Sequence, residues 1–141
     1  MEYNTGSFDT VTKEQFDEYL ASIGGLERSW RKDLGPILNT DFFAVDKGWY
    51  GLIKNLIEEL IAAGWDKKLV QVKEKFGGLR FYIENSDSAL YEITSKYEKL
   101  SYKVCERCGS EGVLRKGAWL KTLCDEHSDG REEMIFNQPP I

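Results

Sequence analysis

Leu69-Val70-Gln71-Val72-Lys73-Glu74-Lys75-Phe76-Gly77-Gly78-Leu79-Arg80-Phe81-Tyr82-Ile83-Glu84 is the stretch that decides the fold. Two runs of alternating character, Leu69 to Lys75 and Leu79 to Glu84, flank a pair of glycines, and a two-glycine turn suits a tight β-hairpin. A Gly77-Gly78 turn predicts a register that pairs Phe76 with Leu79, Lys75 with Arg80, Glu74 with Phe81, Lys73 with Tyr82 and Val72 with Ile83. Val70, Val72, Phe76, Leu79, Phe81 and Ile83 then share the core face with Glu74, for which a buried donor is expected. Gln71, Lys73, Lys75, Arg80, Tyr82 and Glu84 share the other face. Lys75 opposite Arg80 is a like-charge pair that asks for an anion, either an internal acid from a neighbouring helix or a ligand. The ligand reading makes Lys73, Lys75, Gly77, Gly78, Arg80 and Tyr82 a candidate site for a phosphate-bearing or acidic group. In it the glycines allow close backbone approach and Tyr82 is free to stack.

On the N-terminal side, Asp46 precedes a stripe of Trp49, Leu52, Ile53, Leu56, Ile57, Leu60 and Ile61 that predicts an amphipathic core helix closed by Gly64. Further upstream, Thr12 stands three residues before Gln15, a capping-box spacing, and Phe16, Tyr19, Leu20 and Ile23 follow at helical intervals. A helix over about 12 to 23 is expected. Leu26 to Leu34 reads as a short helix ending before Gly35-Pro36. On the C-terminal side, Asn85 to Ser88 supplies capping residues for a helix carrying Leu90, Ile93, Tyr97 and Leu100. Trp49, Trp65 and Trp119 are expected in the core, and Trp30, between Arg28 and Arg31, at the surface.

Beyond that helix, Cys105-Glu106-Arg107-Cys108 and Cys124-Asp125-Glu126-His127 form a C-x2-C knuckle and a C-x2-H knuckle with 15 residues between them. The chain has 3 Cys and 1 His, and all of them fall into this pattern. Three thiolates and one imidazole at such spacing predict a closed, tetrahedral structural Zn2+ site. Val113 to Arg115 and Trp119 to Lys121 would be two short strands joined by a turn at Lys116-Gly117-Ala118, with a terminal helix beginning at Asp125. The tail Asn137 to Ile141 is expected to be partly unordered. The architecture is therefore α+β: helices on a small antiparallel hairpin-based sheet over residues 1–104, and a zinc-ribbon or treble-clef-like lobe over 105–141, as one compact unit.

Because the metal takes the imidazole and the thiols, no Ser/His/Asp or Cys/His catalytic set can be assembled, and a catalytic zinc would need an open coordination position. Carboxylate pairs such as Glu58-Glu59 and Glu132-Glu133 read as solvated surface charge. Phosphate-cradling glycine motifs are missing. In a chain of 141 residues the net charge is −5, which disfavours coating of duplex DNA. The charge is uneven: residues 1–46 carry net −5, 47–85 net +2 and 86–141 net −2. An anion site would thus be central, and the acidic N-terminal third could face a basic protein partner. The acidic start Met1-Glu2-Tyr3 lacks the layout of a secretory signal and no apolar run approaches a membrane span, so a cytoplasmic protein is expected.

The run Val70 to Tyr82, with its Lys75-Phe76-Gly77-Gly78-Leu79-Arg80-Phe81-Tyr82 core, followed by Cys105-x2-Cys108 and Trp119-x2-Thr122-Leu123-Cys124-x2-His127, resembles a family of small, largely uncharacterised proteins encoded by phages, prophages and bacterial accessory genomes. The resemblance covers about residues 46 to 128 and implies a setting without a reaction. By analogy it points to a non-enzymatic binding protein that inhibits or sequesters a host component, such as one used in defence, in the host cytoplasm. A nucleotide or single-strand nucleic-acid binder using the basic hairpin face is the alternative, and a metallohydrolase a more remote one.

Overall fold

The computed structural model describes residues 10–85 and 87–134. The tail 137–141 lies outside the described residues.

Helix α1 (Lys13–Ser22) starts at the expected capping box. The Thr12 hydroxyl accepts from the Gln15 amide at 3.1 Å, and the Gln15 side chain accepts from the Thr12 amide at 3.0 Å. It buries Phe16 and Leu20 completely. Helix α2 (Tyr50–Ala62) carries the central stripe, with Leu52, Ile53, Leu56, Ile57 and Leu60 fully buried and Ile61 at the rim. Trp49, in a 3-10 turn over Lys47–Trp49, is also buried, and its indole N–H donates to the Val104 carbonyl at 2.8 Å. Helix α3 (Ser88–Ser101) is capped by Asp87, whose carboxylate accepts from the Ala89 amide. It packs on α2 through Leu90, Tyr97 and Leu100, and its Lys96 and Tyr97 both reach the Glu59 carboxylate.

The hairpin forms from β3 (Lys68–Lys75) and β4 (Gly78–Ile83), and it sits in a larger sheet than expected. Strands β1 (Glu27–Arg28) and β2 (Phe43–Ala44) both run parallel to β3, with Arg28 beside Leu69 and Phe43 beside Val72. Leu69, Val72 and Lys73 have partners on both sides, so β3 is the central strand. Here the expected helix over 26 to 34 fails. Leu26 bridges to Ile37, Glu27 and Arg28 are extended along β3, and only Lys32–Leu34 makes a 3-10 turn. Burial of Leu26 and Ile37, both at most 2% exposed, outweighs the local helical spacing.

The turn also differs. Lys75 pairs with Gly78, Glu74 with Leu79, Lys73 with Arg80, Val72 with Phe81 and Gln71 with Tyr82. The two turn residues are thus Phe76 and Gly77, with φ of +56° and +83°, the pattern of a type I′ turn. Gly78 belongs to the strand, and it is glycine because a Cβ there would overlap the Tyr102 ring. Phe76, expected in the core, is 61% exposed at the turn. Holding it in the left-handed region costs about 1 to 2 kcal/mol relative to a residue suited to it. A bulge between Leu69 and Gln71 makes Leu69, rather than Val70, the buried residue at that end.

The C-terminal lobe contains β5 (Val113–Arg115) and β6 (Lys121–Leu123), paired antiparallel. The second strand begins two residues later than expected, so Trp119 lies in the connecting loop and is 62% exposed rather than buried. After the knuckle only a 3-10 turn forms, over Asp125–His127, in place of a terminal helix. The chain instead turns back beside β5, where the Met134 amide donates to the Leu114 carbonyl and the Lys116 amide to that of Glu132.

Candidate metal centre

Both knuckles are backbone turns whose geometry brings the donors inward. The Gly109 amide donates to the Cys105 carbonyl at 2.8 Å and the Cys105 amide to the Ser110 carbonyl at 2.7 Å, closing the first. Gly109 has φ of +85°, which lets the chain bend away from the thiols. The second knuckle follows β6 directly, and the His127 amide donates to the Cys124 carbonyl at 3.2 Å. One donor atom from each of Cys105, Cys108, Cys124 and His127 lies within 4.8 Å of every other. The expected constellation is therefore assembled, and it can hold a metal ion.

Its dimensions suit tetrahedral coordination. Zinc–sulfur bonds of about 2.3 Å give a sulfur–sulfur edge of about 3.8 Å, and Cys108 Sγ lies 3.7 Å from Cys124 Sγ. His127 approaches through Nδ1, 3.2 Å from Cys124 Sγ. Burial pushes the Cys105 thiol up. Burial opposes ionisation of Cys108 too, but the Ser110 hydroxyl and amide and the adjoining thiols outweigh it and bring it down to about 7.

Arg115 organises the lobe behind the donors, and no local spacing marks it in the sequence. Its buried guanidinium donates to the Leu123 carbonyl at 2.9 Å, the Arg131 carbonyl at 3.1 Å and Asp125 Oδ1 at 2.8 Å. It thereby joins β6, the second knuckle and the returning segment with the bidentate reach of a planar cation.

Glu106, inside the first knuckle, ties the lobe to the rest of the chain. Its Oε2 accepts from the Asp46 amide at 3.0 Å, its carbonyl accepts from the Gly48 amide at 2.7 Å, and Lys121 Nζ lies 3.2 Å from Oε1. Burial raises its pKa against these partners. Gly48 has no room for a Cβ, which would overlap the Cys105 and Glu106 carbonyls. Lys121 also reaches Glu74, whose other oxygen accepts from the Gly77 amide at 2.7 Å. The donor expected for Glu74 is thus present.

No protein-family model, curated protein or solved structure matches the chain.

The observed register changes the pairing among the six residues read as a ligand set on the hairpin. Arg80 lies opposite Lys73, and Lys75 opposite Gly78, so the Lys75/Arg80 pair does not form. The Arg80 guanidinium is ion-paired with Glu98 on α3 and donates to the Tyr102 hydroxyl. An internal acid from a neighbouring helix therefore answers its charge. Gly77 packs against Leu114 and Gly78 against Tyr102, while Lys75 and Tyr82 remain exposed.

Proposed function

We propose that the protein is a non-enzymatic binding protein whose C-terminal lobe is closed by one structural Zn2+ on Cys105, Cys108, Cys124 and His127. The observation that carries this reading is the convergence of four protein donors, three of them sulfur, within 4.8 Å. That donor set favours zinc and leaves no coordination position for a reacting water. It also takes the chain's 3 Cys and 1 His, so neither a thiol nor an imidazole is left over for nucleophilic chemistry.

The partner reading extends to inhibition or sequestration of a host component, in line with the phage-like resemblance. It is supported by Trp30, Leu34 and Leu38, large apolar side chains exposed on the segment between β1 and β2 in the acidic N-terminal third. Among the described residues no helix is long and apolar enough to cross a membrane.

Native mass spectrometry of protein made in zinc-replete medium, coupled to pull-down from a host lysate, tests both parts. One zinc per chain and a specifically retained partner are expected. Metal-free folded protein would overturn the zinc assignment, and a hydrolytic activity lost with the metal while the fold persists would overturn the non-enzymatic one.

A further inference from the structure

Phe76 and Trp119 are large exposed aromatics on two loops that the fold sets side by side. Phe76 lies at the hairpin turn and Trp119 in the β5–β6 loop. A Cβ on Gly77 would lie 3.5 Å from the backbone carbons of both Leu120 and Lys121, so the residues adjoining Phe76 and Trp119 are in contact. The buried bond from the Thr122 hydroxyl to the Gly77 carbonyl holds that junction.

Each aromatic stands on a turn whose backbone is defined. Phe76 occupies a left-handed turn position that Asn, Asp or Gly would fill with less strain, and it is exposed nonetheless. Lys75 Nζ lies 5.4 Å above its ring. The Trp119 loop is held by Arg131, whose Nη1 donates to the Lys116 carbonyl at 3.1 Å and the Trp119 carbonyl at 2.7 Å. Lys75, Lys116 and Arg131 have no carboxylate partner among the described residues. The exposed Glu132 and Glu133 stand on the adjoining segment, and Glu74 is held by Lys121 and the Gly77 amide.

We infer that Phe76 and Trp119 form a stacking platform for the bases of single-stranded nucleic acid, with Lys75, Lys116 and Arg131 meeting its phosphates. Two exposed rings on adjoining loops, beside cations that no carboxylate neutralises, match the base faces and backbone charge of a single strand, which stacks without regard to sequence. Duplex DNA buries its base faces and cannot use the rings. The inference goes beyond the binding-protein reading and rests on it in one respect: the metal closes the lobe that presents Trp119.

The test is titration with a short oligodeoxythymidine at low salt, in the Trp30→Phe background so that Trp119 dominates exposed tryptophan fluorescence. Quenching is expected, with a log–log salt slope of about −2 for three phosphate contacts. Trp119→Ala is expected to weaken binding by about 5- to 150-fold. Phe76→Asn is the sharper variant, because Asn-Gly suits the turn: Tm is expected to hold or rise while affinity falls at least about 5-fold. Lys75→Ala with Lys116→Ala should reduce the slope to about −0.7. Zinc content is measured on the same samples. Zinc-loaded protein that fails to bind, that binds duplex equally well, or whose binding survives Phe76→Asn overturns the platform alone. Folded protein without zinc overturns the metal reading instead.

Discussion

Thr122 and Gly77, 45 residues apart in sequence, meet through a buried 2.7 Å hydrogen bond in which the threonine hydroxyl donates to the glycine carbonyl. Thr122 is on β6, two residues before the candidate donor Cys124, and Gly77 is in the turn of the central hairpin. The bond ties the C-terminal lobe to the turn of the central hairpin.

Thr122→Val keeps the shape of the side chain and removes its donor, leaving the buried Gly77 carbonyl unsatisfied. A loss of about 1 to 3 kcal/mol is expected in urea denaturation. No change in midpoint would mean that the junction adds nothing to stability.

Cys105→Ser takes away a fully buried donor from the cluster. The expected result is loss of the bound metal together with a lower Tm, since metal affinity becomes folding free energy where no site is preformed in the unfolded chain. Chelation of the natural protein should raise amide exchange beyond residue 104 first. Unchanged metal content in the variant would rule Cys105 out as a ligand.

Leu56→Ala removes a side chain with no exposed surface from the centre of α2. It should cost about 2 to 5 kcal/mol through lost burial and the cavity left behind. A cost under about 1 kcal/mol would contradict the burial of Leu56 in the core that α2 shares with α3.

The Asp17 carboxyl is expected to tie α1 to the segment before β2 in a pH-dependent way. Burial acts to raise its pKa, but Lys13 and the Thr40 amide, which donates to Oδ1 at 2.9 Å, outweigh that and hold it below the usual value. A carboxyl depressed in the folded state contributes stability above the unfolded pKa of about 3.9, and that contribution is lost as pH falls through the folded pKa. The stability difference between the natural protein and Asp17→Asn should therefore be constant near neutrality and shrink on acidification below about pH 4. A difference independent of pH down to strong acid would show that the charge of Asp17 is not involved.

What was legible in the sequence was local. The Thr12 capping box, the α2 stripe and the two knuckles each depend on spacings within one turn or one helix, and all three form as read. The hairpin was legible in its existence and in the separation of Val72, Leu79 and Phe81 from Lys73, Arg80 and Tyr82. Its register was not, because Gly77 and Gly78 are glycines for different reasons. One supplies positive φ, and the other makes room for Tyr102, a neighbour that no short window contains. Leu26 to Leu34 was misread for a similar cause: its backbone bonds go to Ile37 and to β3. Arg115 has three partners distant in sequence and so left no mark there.

The edge of β3 opposite the hairpin is occupied by two separate dipeptides, Glu27–Arg28 and Phe43–Ala44, rather than by one continuous strand. Each waits for residues made later: when β1 and β2 are synthesised, their partners at Lys68 and Val72 do not yet exist. Parallel pairings closed over long stretches of chain form slowly, so these earlier segments depend on later ones for their place in the sheet. Until α2 and the hairpin exist, Leu26, Ile37 and Phe43 have nothing to cover them, and the newborn N-terminal third is a natural client for a chaperone.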